Sequence, residues 1–143
     1  MKIMVAYDGT LQAKEALVYG MRKAREKGGE VVALHVFNSP MFMDYDATPD
    51  AESIARAEAA GFVNEAKALI REKGAGVKVS LFSTEGNPDQ EVIGFAKTEK
   101  VDVLLCPPKY KHIINTYHRA VGEMDLAGEA EKLNVAAVMV ASK

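Results

Sequence analysis

The sequence predicts an α/β fold: a single doubly wound domain with five strands in a parallel sheet and four helices. Three observations point there. Short apolar runs alternate with long stretches of helical period, the pattern of β-α-β units. The run Val31-Val32-Ala33-Leu34-His35-Val36-Phe37 is apolar almost throughout, which suits a strand covered on both faces. Glycines, prolines and capping residues fall at the joints between the runs.

Ile3 to Tyr7 reads as the first strand, ended by Asp8-Gly9-Thr10. Thr10 is the expected N-cap of a helix that carries Ala13, Ala16, Leu17, Gly20, Met21 and Ala24 on one face. Gly28-Gly29 stops it, because glycine accepts the left-handed conformation. After the second strand the chain is irregular from Asn38 to Asp50, and Pro49 opens a helix capped by Thr48 that runs to about Lys73. Its core face is Ile54, Phe62, Ala66, Leu69 and Ile70. Val77 to Phe82 alternates as a third strand. Asn87-Pro88-Asp89-Gln90 then supplies an Asn cap, proline at the first helical position and Gln where a capping box wants it. Val101 to Cys106 is the fourth strand, cut off by Pro107-Pro108. A polar, cationic stretch leads to Tyr117, a helix is expected over His118 to Lys132, and Val135 to Ala141 is the last strand.

Residues 1–143 are expected to form one domain, since that length is the commonest domain size. A formal charge of −2 argues against nucleic acid as a partner, because duplex binding needs a basic face. No apolar run approaches the roughly 20 residues of a membrane helix, and the amino-terminal segment lacks the pattern of a signal peptide. A cytoplasmic location is the expectation. Cys106 is the only cysteine, which excludes an intramolecular disulfide and a cysteine-rich zinc site.

In open parallel sheets ligands sit beyond the carboxyl ends of the strands, where strand order reverses. Asp8 is the leading candidate for a binding residue there. Its carboxylate faces the amino end of the helix starting at Thr10 and could accept a bond from a ribose hydroxyl. The competing reading is that Asp8 only orders the turn.

Val5-Ala6-Tyr7-Asp8-Gly9-Thr10, Leu34-His35-Val36, Gly86-Asn87-Pro88 and Val101-Asp102-Val103-Leu104-Leu105 follow one another in a series that resembles the universal stress protein family over nearly the whole chain. That resemblance implies an adenine nucleotide alpha hydrolase-like fold with sheet order 3-2-1-4-5, and a homodimer. It also implies an ATP site in many members, with Asp8 at the sugar or base and Val36 offering its backbone to the adenine. The family's phosphate loop has the pattern G-x-x-G followed further on by G-[ST], and begins as strand four ends. Here Pro107 and Tyr110 occupy the first two glycine positions, and Ala120-Val121 falls near the final pair. Gly122-Glu123 restores one glycine only with a slip in register. Hydrogen bonds to a charged group are worth about 1.5–3 kcal/mol each, so losing two or three would weaken binding about a thousandfold. ATP bound in the family manner is therefore not expected, and no cofactor is assigned, with a nucleotide kept as the lesser expectation.

The replacement stretch Lys109 to Arg119 gathers cations, histidines and tyrosines. It reads either as a solvated loop with its aromatics packed at a subunit contact, or as an anion site built on Lys109 and Lys111. Cys106 reads as a small buried hydrophobe or as a thiol activated near a helix amino terminus. His35 is expected to be packed and hydrogen-bonded. His35, His112 and His118 show no metal-ligand spacing, and Asp44, Asp46 and Asp50 lack that of a calcium loop, so no metal site is expected. The chain also lacks the acidic cluster of a receiver domain, the G-x-x-x-x-G-K-[ST] of a P-loop and the hydroxyl-rich loop of a flavodoxin. No nucleophile–base pair is brought together by the sequence, so catalytic residues are not assigned. Two functions remain: a non-catalytic dimeric stress protein acting through protein contacts, and a sensor of a nucleotide or other anion in a remodelled crevice. The apolar strand Val135 to Ala141 would be an aggregation-prone edge if uncovered, so it is the expected homodimer contact.

Overall fold

The computed structural model describes residues 1–37, 49–117, 126–133 and 135–139. The strands are β1 (Lys2–Ala6), β2 (Glu30–Phe37), β3 (Lys78–Glu85), β4 (Val103–Cys106) and β5 (Ala136–Met139). Among the described residues the helices are α1 (Leu11–Lys27), α2 (Pro49–Lys73), α3 (Pro88–Thr98), α4 (Lys111–Thr116) and α5 (Leu126–Lys132). They build one five-stranded sheet in the order β3-β2-β1-β4-β5. β1 pairs in parallel with β2 and β4, and β2 in parallel with β3.

The all-parallel expectation needs one correction. β5 runs antiparallel to β4, with Cys106 opposite Ala136 and Val103 opposite Met139, so the sheet is mixed. The chain leaves β4 and enters β5 at the same end of the sheet. A parallel partner would have required the chain to cross back to the far end of the sheet before entering β5. α5 instead leads straight into β5, with the Val135 N–H donated to Ala130 O at 3.1 Å. The cationic stretch differs too: residues 111–116 are helical. Of the helix expected over His118 to Lys132, only Leu126–Lys132 is described, and its first half lies outside the described residues.

Alternation along the strands sorts the core into two layers. Ile3, Val5 and Tyr7 pack with Val31, Ala33, Leu105 and Ala137 under α1, α2 and Ala130 of α5. Met4, Ala6, Val32, Leu34, Val36, Leu104 and Cys106 face the other way, toward Val92 and Ala96 of α3 and Ile113 of α4. The sheet is therefore covered on both sides, as its apolar strands require.

The local signals act as their chemistry dictates. The Thr10 side chain accepts the Ala13 N–H at 3.1 Å, and Gly28 ends α1 at φ 72°. Asn87 Oδ1 accepts the Gln90 N–H at 3.2 Å with Pro88 in the first turn of α3. The Arg25 side chain donates to Lys73 O at 2.6 Å and Ala75 O at 2.8 Å, tying the end of α1 to the end of α2. Thr48, the expected cap of α2, lies outside the described residues, as do Asp44 and Asp46.

Candidate functional site

The strand order reverses between β1 and β4, so the turns after Tyr7 and Cys106 flank one crevice, with β2 on its far side. Asp8 opens the turn after Tyr7. Its Oδ1 accepts the Thr10 hydroxyl at 2.6 Å and the Thr10 N–H at 3.1 Å, which orders the turn into α1. The Asp8 charge also reaches three buried groups, acting on Tyr7, His35 and Tyr110. Asp8 is thus a turn-former whose charge is felt at those three side chains.

Gly9 follows at φ 80°, a conformation that side chains resist, and a Cβ there would overlap the Phe62 ring of α2. Phe62 also lies against His35, with ring centroids 5.4 Å apart. His35 is only 4% exposed, as expected, but the expected hydrogen bond is missing at one nitrogen. Nδ1 has no partner among the described residues, and neither does the neighbouring Tyr7 hydroxyl. Burial first, then the Lys109 charge, pushes the His35 imidazole below its usual 6.5, against a smaller opposing pull from Asp8. Burial, helped by Glu65 and Asp8, raises the Tyr7 hydroxyl to about 12. The folded protein therefore prefers neutral His35, and an unfolded chain takes up the proton first. That contribution to stability is complete above pH 6.5 and is lost as the pH falls below it. Thermal melts should drop between pH 7 and pH 5 more steeply for the native chain than for His35→Gln. Equal slopes would remove His35 from this account.

Val36 is buried beside His35, on the other face of the sheet. The β1–β2 ladder stops at Ala6 opposite Leu34 and the Tyr7 N–H on Leu34 O, so β1 does not extend its pairing to Val36. Lys109 and Tyr110 belong to the turn after β4. Lys109 lines a cleft of about 260 Å³ with Asn87, Pro88, Asp89 and Tyr110, and its ammonium is 5.3 Å from the Tyr110 ring centroid. Lys111 opens α4 as an exposed residue and is not part of that wall. Cys106 is fully buried in the layer with Tyr110 and Ile113. Among the described residues no group of His, Cys, Asp and Glu is placed to hold a metal ion.

Sequence reasoning missed the role of Tyr110. It is 1% exposed, a core side chain, and burial pushes its hydroxyl well above the ordinary tyrosine range. Its N–H is donated to Pro107 O at 3.1 Å, and its φ is −89°. The helical spacing of Tyr110, Ile113, Ile114 and Tyr117 is the signal that could have found it.

Fold and crevice together define an α/β domain of the adenine nucleotide alpha hydrolase-like class. Residues 1–112 match the model of the universal stress protein family, and the chain belongs to that family. Solved structures share the fold. The protein MJ0577 aligns with a TM-score of 0.59 at 23% identity, covering 72% of this chain and 71% of that one. A universal stress protein in complex with cAMP aligns at 0.55 and 15%, covering 73% and 69%. UspA from Lactobacillus plantarum aligns at 0.54 and 18%, covering 73% and 74%. No curated protein sequence matches the chain. Among the described residues no helix is long and apolar enough to cross a membrane.

Proposed function

We propose that this chain is a non-catalytic stress-response protein that works as a cytoplasmic homodimer and does not hold ATP through the turn after β4. The observation that carries this reading is the state of that turn. Pro107 and Pro108 have no N–H to offer, and the N–H of Tyr110, at the second family glycine position, is already bonded to Pro107 O. The Tyr110 side chain is locked in the core, so the turn cannot reopen around a triphosphate without disrupting packing. Titration calorimetry with ATP should show no saturable heat, and a stoichiometric micromolar curve would overturn the proposal. β5 is the outer strand of the sheet, and its free side is the edge offered to a second copy. Light scattering should give the mass of two chains.

A second reading has its own support. Lys109 stands at a cleft beside the start of α3, and its charge reaches His35 at the crevice. A nucleotide or other anion would then use Asp8, Val36 and Lys109, with Lys111 adding its charge from outside the cleft wall, and a neighbour in the fold is a complex with cAMP. Binding of AMP or inorganic phosphate that weakens with salt, and weakens again in Lys109→Ala/Lys111→Ala, is the expected result. Identical heats for both proteins would end this reading.

A further inference from the structure

On the opposite face of the sheet from Lys109, a cleft of about 300 Å³ opens over the outer side of α1. Val18 of α1, Leu69 of α2, Leu133 after α5 and the Tyr19 ring supply its apolar wall. Lys14, Glu15 and Arg22 supply charge at its rim. That volume is at the low end for a small-ligand site, and it admits an apolar side chain together with the chain that carries it.

The charges at the rim differ in availability. Lys14 is held by Glu65 at 3.4 Å. Glu129, which does not line the cleft, is held by Lys23 at 3.1 Å and by the Tyr19 hydroxyl at 3.0 Å. Arg22 lies over the Tyr19 ring, 5.4 Å from its centroid, and among the described residues neither Arg22 nor Glu15 makes an ion pair. Glu15 and Arg22 are both exposed and sit seven positions apart on α1, about 10 Å along the axis, with Val18 between them. An extended chain advances about 10 Å in three residues.

We propose that this cleft docks a partner polypeptide through one apolar residue flanked by an acidic residue, met by Arg22, and a basic residue, met by Glu15. Opposite charges bracketing an apolar wall favour such a segment over a simple apolar acid or amine, which would satisfy one pole and be repelled by the other. The inference needs neither the crevice at Asp8 nor the β5 edge, so it stands or falls apart from the function proposed above.

The test uses methyl NMR of the full chain and three capped peptides, Asp-Leu-Ala-Lys, Asp-Leu-Ala-Asp and Lys-Leu-Ala-Lys. The mixed peptide should give saturable shifts at Val18, Leu69 and Leu133. It should bind about fivefold more tightly than either like-charged one, the scale of an exposed ion pair exchanged for repulsion. Glu15→Lys should turn the preference to the diacidic peptide, and Arg22→Glu to the dibasic one. Both positions are exposed, and unchanged methyl signals from buried Val5 verify that the variants are folded. Equal binding of the three peptides, unmoved methyls, or retention of the mixed peptide after Leu is replaced by Ser overturns the proposal. So do shifts that appear with protein concentration alone, which would assign the cleft to a second copy.

Discussion

Gly9→Val is expected to lower stability by about 3 kcal/mol, the sum of about 1–2 kcal/mol for a left-handed residue and about 1–3 kcal/mol for overpacking. Gly9 sits at φ 80°, and the space a side chain would need is filled by the Phe62 ring. For a chain of 143 residues that corresponds to a fall in Tm of about 10 °C. The two causes separate in a second variant. Gly9→Val/Phe62→Ala removes the overlap and leaves the backbone cost, so it should melt well above the sum of the single losses. Strict additivity would show that Phe62 does not press on Gly9. Phe62 also covers His35, so Phe62→Ala should make the acid sensitivity of the native chain shallower by letting water reach the imidazole.

Tyr110→Gly should cost at least as much, about 3–5 kcal/mol on the scale of large aromatic truncations in cores. The substitution restores a family glycine, so it separates two accounts of the turn after β4. If the departure from the family pattern were a surface change, Tyr110→Gly would be tolerated and would move the protein toward ATP binding. Because the ring fills the layer between the sheet and α4, denaturant melts should instead show a large loss with no gain in ATP affinity. Pro107→Gly alone should be milder, since it leaves the ring in place. A Tyr110→Gly protein as stable as the native one would contradict the packing described here.

These two positions also mark where the sequence could and could not be read. Elements set by neighbouring residues were legible. Thr10, Gly28 and Asn87-Pro88 act on backbone groups within four residues, and the structure uses each as its local chemistry requires. The order of the strands came from the family resemblance, and the structure has it. The direction of β5 was not legible, because an apolar run reads the same either way and only the path of the preceding chain decides it. Tyr110 was hidden by its cationic neighbours Lys109 and Lys111, which made the stretch look solvated although its ring points inward. His35 was read as buried, but whether each of its nitrogens finds a partner depends on residues far away in sequence. Asp8 and Lys109 lie in the turns after β1 and β4, a placement that strand ends alone make legible. Lys111 is adjacent to Lys109 in sequence, and α4 leaves it exposed outside the cleft lining, a difference that only the turn into the helix decides.

The central position of β1 bears on how the chain leaves the ribosome. β1 is synthesised well before β4, yet its flank is closed by that strand, and the Lys2 N–H waits for the Asp102 carboxylate one hundred residues later. Until that portion emerges, one side of an apolar strand has no neighbour, and nascent chains of that kind are prone to wrong pairings. Translation pauses before residue 106 should therefore be the moments at which this polypeptide most needs a chaperone.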